Sequence, residues 1–566
     1  MGGGAARGAA PLGKLVHRLG MAARDLEDFR TGLSSPEALQ EACLFDRVIR
    51  PNVDSEYGRR HGFSSIQSIR EYRERVPIVR YADIEPEIER TARGEASVLV
   101  TEPVRRFFQT SGSSATPKTI PVTSSFIGDK SRAFGLYWGM LFERHPDAHS
   151  GKVVGNFSDS GGSYMLPSGR EVSSEGSYWS KVGAATQKRG KSPLPKFIGA
   201  IADSSARYYT VARILAEENV SLFMALNPST ILLLFRKMNE HRDALIRDVE
   251  RGGLSPDFPV SDEVRAHVSA SYAGNPARAS ELRALLDRDG ELFARNVWSG
   301  LRLVVSWRSP MQRPYLQLLE PHLGAVPQRD YILMASEGII AIPHVDHRSG
   351  GLLATPIHFY EFVREHKADL PQPETLLAHE LEVGKNYVVL LSTSAGLYRY
   401  NIGDLLHVSG MEGRTPIVEF LYRAGATSSI TGEKLTEDQV VEAVTALSAR
   451  LGLALEGFTL LPAKQGFPRY LLLVEFAARP GAETLSALPR ALDAELEQRN
   501  IEYGAKRHSE RLEAPEVWVI EPGGYAAIRE RRIAEGANDA QIKPVRLTRN
   551  AEFADQFRVV ECFHAH

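Results

Sequence analysis

The sequence predicts an α/β protein: a large amino-terminal domain of β-sheets flanked by helices, followed by a smaller α+β domain. Three observations predict it. From Ser97 to about Arg423, short β-rich runs separated by Gly, Ser and Pro alternate with helix-like stretches. After Arg423 the texture changes to strands around one long amphipathic helix. A chain of 566 residues is also too long for a single hydrophobic core. The division expected is 1–423 and 424–566.

The elements follow in order. Residues up to about Arg90 read as helices, with the charged run Arg70–Arg75 stopping at Val76-Pro77, because proline discourages continuation. Val153–Phe157, Val220–Leu226, Leu301–Trp307 and Tyr387–Thr393 are apolar runs of strand length. Ala206–Asn219 and Ser229–Glu250 carry one apolar and one polar face and read as helices. In the smaller domain, Phe458–Leu461, Tyr470–Phe476 and Val517–Ile520 read as strands and Thr484–Asn500 as the amphipathic helix.

Charge and cysteine content narrow the function. Lys plus Arg (68) nearly cancels Asp plus Glu (70), whereas nucleic-acid binders carry a basic excess. The local cluster Arg529, Arg531 and Arg532 is interleaved with Glu530 and Glu535 and reads as a solvated helix face. Cys43 and Cys562 form neither a disulfide framework nor a zinc spacing, which points to a reducing compartment. Met1–Gly20 lacks the apolar stretch of a signal peptide, and Ala6 breaks the myristoylation pattern. Runs such as Ile231–Phe235 are far shorter than a membrane span. The expectation is a soluble, cytoplasmic protein without nucleic-acid or membrane partners.

Four stretches carry candidate chemistry. Thr110-Ser-Gly-Ser-Ser-Ala-Thr-Pro-Lys118 follows a predicted strand and concentrates hydroxyls, a flexible Gly112 and a lysine. Such a segment is either a Ser-rich surface loop or a phosphate cradle. It is not a Walker A loop, because Pro117 stands where the second Gly is needed and has neither the amide nor the torsion for that turn. Tyr331-Ile-Leu-Met-Ala-Ser336-Glu337-Gly338 places a carboxylate in a turn, a Mg²⁺ ligand if phosphates lie beside it. Gly396-Leu-Tyr398-Arg399-Tyr400-Asn-Ile-Gly403-Asp404 reads as a hairpin with a Gly-Asp corner, and an Asp so placed can accept from ribose hydroxyls. Near the end, Gln541-Ile-Lys543-Pro544 offers a lysine that could offset carboxylate and phosphate charge if it entered a site.

Together, in this order, the stretches resemble the adenylate-forming superfamily, and within it the Gretchen Hagen three (auxin-responsive) family of acyl acid-amido synthetases. Leu397–Asp404, Ile430-Thr-Gly-Glu-Lys-Leu-Thr-Glu437 and Gln541-x-Lys543 carry the resemblance, which spans Arg90 to the carboxy terminus. It implies a mobile smaller domain and two half-reactions on ATP with Mg²⁺. A carboxylic acid becomes an acyl-adenylate with release of pyrophosphate; the amine of an amino acid or similar compound then displaces AMP. It also implies roles. Ser111, Gly112, Ser113, Ser114 and Lys118 would bind phosphates. Tyr331, Met334, Ala335 and Ser336 would line the adenine side, Glu337 would hold Mg²⁺, and Asp404 would bind ribose. Arg423 would sit at the hinge, and Lys543 would swing in for adenylation. Ala115 departs from the superfamily's usual Gly, a change that costs about 1 kcal/mol where the loop needs a left-handed residue. Alternatives are an acyl-CoA ligase and a catalytically silent acid-binding relative.

Other patterns read as loops or core. Ser158-Asp-Ser-Gly-Gly162 is similar to a protease nucleophile stretch but lacks a disulfide-bearing fold around it. His344-Val-Asp346-His347, with His358 beyond a Gly-rich turn, has no recognised metal spacing, and His379-Glu380 lacks the second His of a zinc protease. Phe134, Tyr137 and Trp138, on a predicted helix, belong to an acyl pocket or, as is commoner at helical spacing, to the core.

Overall fold

The computed structural model describes residues 24–109, 118–155, 157, 163–179, 192–368, 370–423, 427–534 and 545–565. Short helices come first, as expected. The charged run forms helix Ile69–Arg75, capped by the Ser68 hydroxyl accepting from the Glu71 amide, and it ends at Val76 in extended backbone.

Strands β1 (Arg106–Gln109) and β2 (Thr119–Val122) form an antiparallel hairpin. Beyond β3 (Lys152–Val154), strands β4 (Ser163–Met165) and β5 (Glu171–Ser174) complete its sheet in the order β2-β1-β5-β4. Next, β3 is joined by β6 (Val220–Met224), β7 (Leu303–Val305) and β8 (Gln328–Arg329) in an all-parallel sheet. Its helices cover it as βα connections require. Helix Ser204–Leu215 precedes β6, and Pro228–Glu240 follows it.

A seven-stranded antiparallel sheet comes next. It consists of β9 (Leu333–Ala335), β10 (Gly338–Ile342), β11 (Gly351–Leu353), β12 (Phe359–Arg364), β13 (Asn386–Ser392), β14 (Tyr400–Glu412) and β15 (Thr415–Arg423). Its order is β12-β13-β14-β15-β11-β10-β9. The sheet curls until its flanks meet, for the Tyr360 hydroxyl of β12 donates to the Ile339 carbonyl of β10 at 2.9 Å.

The carboxy-terminal part opens with the small hairpin β16 (Thr427–Ser428) and β17 (Leu435–Thr436). A sheet of β18 (Leu455–Pro462), β19 (Tyr470–Phe476), β20 (Glu516–Ile520) and β21 (Val559–Phe563) follows, backed by helices Glu437–Leu451 and Ala482–Arg499. One apolar cluster runs from Tyr209, Phe235 and Trp298 through Ile430 and Leu435 into Val444, Leu472 and Leu492. Each fully buried side chain of this kind contributes about 1.5–3 kcal/mol.

Two expectations are corrected here. The predicted Ser229–Glu250 helix is two helices, Pro228–Glu240 and Arg242–Arg251, parted at His241. The Gly403-Asp404 corner is not a turn: both residues lie inside the continuous strand β14. Among the described residues, no helix is long and apolar enough to cross a membrane.

Candidate functional site

The parallel sheet sets the geometry, because ligands of such sheets gather at the carboxyl ends of the strands. At those ends lie Asn227, just beyond β6, and Asp330-Tyr331, just beyond β8. The chain then turns through β9 and β10, whose pairing of Ala335 with Gly338 leaves Ser336-Glu337 as the two-residue tip. Glu337 is buried, at 3% exposure, and no cation among the described residues pairs with it. A carboxylate at a hairpin tip is a group that a hard divalent cation could take.

Strand β1 delivers the predicted phosphate loop and β2 receives it. Thr110–Pro117 lies outside the described residues, so Ser111, Gly112, Ser113, Ser114 and Ala115 have no described position. Lys118 is described: its Nζ lies 5.5 Å from the Tyr81 ring centre. Lys543 and the protease-like Ser158–Gly162 run also fall outside the described residues.

The element that connects these pieces is helix Ser124–Arg144. Thr123 caps it, its hydroxyl accepting from the Phe126 amide at 3.1 Å, and the Glu102 carboxylate accepts from the Ser124 and Ser125 amides. Its buried face is apolar except for two adjacent charges, Asp129 and Lys130. Asp129 accepts from the Ser394 hydroxyl at 2.6 Å and pairs with Arg47. Ser394 belongs to the turn leading into the Leu397–Asp404 stretch. Burial pushes the Asp129 carboxyl up to about 6, against the pull of Arg47 and the Ser394 hydroxyl. Lys130 donates to the Ala335 carbonyl at 2.8 Å and to Glu175 at 2.7 Å. Its ammonium also faces Phe126 and Phe108 at 5.1 and 5.9 Å. One helical turn therefore grips both predicted nucleotide segments beside the end of β1. Sequence reasoning missed this pair. The available signal was two charges at 129 and 130 within the stripe Phe126, Ala133, Tyr137, where a core-facing helix carries apolar residues.

Asp404 reaches its place by a bulge. Between the pairs Val388–Leu405 and Leu390–Asn401, strand β14 has Ile402, Gly403 and Asp404 opposite Val389 alone, with Gly403 at φ 78°. Asp404 is buried and pairs across the ladder with Arg423, so the predicted ribose and hinge positions are neighbours. The residues before it serve the core. Tyr398 donates to the Leu99 carbonyl at 2.7 Å and stacks on Tyr57. Arg399 binds Glu361 at 2.9 Å and the Arg73 and Val76 carbonyls.

The stretch Ile430–Glu437 is a structural loop as well as a signature. The Glu433 carboxylate accepts from the Ile430 amide at 2.5 Å, from the Thr431 amide and hydroxyl at 2.7 Å, and from the Tyr470 hydroxyl. Thr436 caps the helix that follows. Asn227 both caps Pro228–Glu240 and donates to the Thr431 carbonyl at 2.9 Å, bringing this loop to the carboxyl end of β6.

Of the aromatic trio, Phe134 lies 5.0 Å from Trp179 and 6.3 Å from Tyr331 between ring centres, and Tyr137 lies 5.9 Å from Tyr331. Tyr137 is core, its hydroxyl donating to the Asp330 carbonyl, and Trp138 stacks on Phe142. Asp346 is engaged by Arg329, Arg144 and His145, while His344 pairs with Glu412. His358 lies apart from them, stacked on Phe126 and pressed against Gly338. A cleft of about 590 Å³ lined by Arg144, Arg295 and Arg302 opens before β7 and β8, at the amino ends of the strands and so at the opposite end from Tyr331.

The chain is 25% identical over 542 residues to the indole-3-acetic acid-amido synthetase GH3.4 of Arabidopsis thaliana, covering 90% of this chain and 89% of that one. It is 24% identical over 580 residues to the probable indole-3-acetic acid-amido synthetase GH3.2 of Oryza sativa subsp. japonica, covering 95% and 93%. A solved GH3.15 acyl acid amido synthetase in complex with 2,4-DB has the same fold, with a TM-score of 0.64, 21% identity and 96% of each chain covered. Models of the GH3 family's amino-terminal, central and carboxy-terminal domains match residues 25–328, 351–423 and 438–552. The chain belongs to the GH3 (Gretchen Hagen three) family.

Proposed function

We propose that the protein is an ATP-dependent acyl acid-amido synthetase. It forms an amide bond and is a ligase, as are the amido synthetases it resembles along nearly its whole length. The observation that carries the finer reading is the Asp129-Lys130 grip on the Ser394 turn and the Ala335 hairpin, beside the strand that enters the Ser-rich loop.

A carboxylate is a poor acyl donor because oxide is a poor leaving group. In the first step a carboxylate oxygen attacks the α-phosphorus of ATP, and the bond to pyrophosphate breaks. In the second, an amine nitrogen attacks the acyl carbon, AMP departs with the electron pair, and the nitrogen loses a proton to solvent. No covalent enzyme intermediate is needed; the protein offsets charge and aligns reactants. Ser111, Gly112, Ser113, Ser114 and Lys118 are assigned to the phosphates, and Tyr331, Met334, Ala335 and Ser336 to the adenine side. Asp404 is assigned to ribose. Glu337 would hold Mg²⁺, which neutralises phosphate charge when bound. Lys543 is assigned to adenylation, brought in by a domain comprising 424–566 that turns about Arg423. Phe134 and Trp179, 5.0 Å apart between ring centres, form an aromatic wall suited to an acid bearing a flat ring.

The test is incubation with Mg²⁺-ATP, a panel of aromatic and aliphatic acids and the amino acids, with mass detection of products. Acid-dependent exchange of pyrophosphate into ATP together with amide is expected. A coenzyme A thioester in place of amide would make the protein an acyl-CoA ligase, and no exchange with any acid would leave it a binding relative. Lys543→Ala should slow adenylation about 10²–10³-fold while sparing reaction from preformed acyl-adenylate. Equal loss of both steps would remove Lys543 from its role.

A further inference from the structure

We propose that Lys130 is a positioning residue for the nucleotide: its ammonium ties the Ala335 hairpin to helix Ser124–Arg144 and to Glu175, holding the adenine-side wall at a set distance from strand β1. The inference rests on the nucleotide reading above and extends it to a side chain outside that site's assigned machinery.

The side chain of Lys130 has no exposed surface. A buried ammonium survives only when its donors are satisfied and its charge is opposed. Here the partners come from three different elements. Glu175 follows β5 and also accepts from the Trp179 indole nitrogen at 3.0 Å. Ala335 ends β9, immediately before Ser336-Glu337. Phe108 lies on β1, one residue from its end, and Phe126 lies one turn earlier on the same helix as Lys130. The hairpin β9–β10 lies at the edge of its sheet, so β9 has a ladder partner on one side only. The lysine supplies a fixed point on that unsupported strand. His358, packed against Gly338 on the other strand of the hairpin and stacked on Phe126, closes the same contact from behind. A tie between the strand entering the phosphate loop and the hairpin carrying Glu337 has no purpose in the core alone, where apolar side chains at 130 and 175 would pack without a desolvation penalty.

That last point supplies the test. Lys130→Met leaves Glu175 unpaired and should destabilise the protein strongly. The double variant Lys130→Met/Glu175→Gln removes both charges and keeps an acceptor for Trp179, so most of the stability should return. Unfolding in urea and the Kd for Mg²⁺ with the non-hydrolysable analogue AMPCPP, by titration calorimetry, are measured on the full chain for wild type and both variants. The expected result is recovered stability in the double variant with AMPCPP binding still weakened about tenfold. If binding recovers together with stability, Lys130 is structural and the proposal fails. If the wild-type protein itself does not bind AMPCPP, the nucleotide reading falls first and this proposal with it.

Discussion

His358 is fully enclosed between Phe126 and Gly338, and burial, aided by the nearby Lys130 and Arg47 charges, holds its imidazole neutral down to about pH 3. His322, packed against Phe235 and Phe293, is held down to about 4, chiefly by burial. Both folded values are depressed below the ordinary 6.5, so on acidification the unfolded chain takes up the protons first. The stability these residues contribute is complete above about pH 6.5 and is lost as pH falls toward 3–4. By pH 5 each should cost about 2 kcal/mol. Asp129 and Asp330 act in the opposite sense, since burial raises them to about 6 and 7. Comparison within one variant pair therefore isolates the effect. His358→Leu should lose less unfolding free energy than wild type between pH 7 and pH 5, measured in urea; parallel losses would mean that the imidazole is not buried neutral. The turn at Ser336-Glu337 was legible from the sequence and is the tip of the β9–β10 hairpin. A residue was missed where it was an ordinary charge in an unexpected place, as with Asp129 and Lys130.

Among the elements, the β13–β14 connection shows how a backbone cost is carried by an ion network. Arg399 has φ 46°, in the left-handed region that a side chain rarely adopts. Its guanidinium is bound by both Glu361 carboxylate oxygens, by Thr375 and by two backbone carbonyls. Arg399→Leu leaves Glu361 buried with Arg73 as its remaining cation, and should destabilise by about 3–5 kcal/mol in urea unfolding. A loss below about 1 kcal/mol would show that the network is dispensable. Asp404→Ala, on the bulge just beyond, should raise the KM for ATP about tenfold with little change in the KM for acid; an unchanged ATP dependence would overturn its ribose assignment. Strand positions were legible because buried strands are short apolar runs: Tyr470–Phe476 agrees at both ends. The bulge at Gly403-Asp404 was not, since a Gly-Asp pair looks the same in a turn and in a bulge. The break at His241 has no glycine or proline to announce it.

Across the whole molecule, the amino-terminal layers and the carboxy-terminal domain are held by charge as well as by the apolar cluster they share. Lys237 pairs with Glu510 at 2.9 Å and Arg236 with Glu513 at 3.1 Å, both on helix Pro228–Glu240. These partly exposed pairs contribute about 0–1 kcal/mol each, so the shared core should dominate. Unfolding followed at Trp298 and at Trp518, in variants retaining one of them, should give coincident urea midpoints; separate midpoints would show that the two parts melt independently. The α/β class and the smaller second domain were readable from alternation and texture. The curl of the seven-stranded sheet was not, because contacts such as Tyr360 to Ile339 join strands that are distant in pairing order.

The neighbouring positions of Asp129 and Lys130 constrain where the gene could gain or lose codons. Thr123 sets the rotational phase of the helix, and both side chains act only while they keep that phase. A single residue inserted between the cap and Asp129 would swing both by about 100°, releasing the Ser394 turn and the Ala335 hairpin together. The spacing from Pro121 to Lys130 should therefore tolerate substitution but not a change in length.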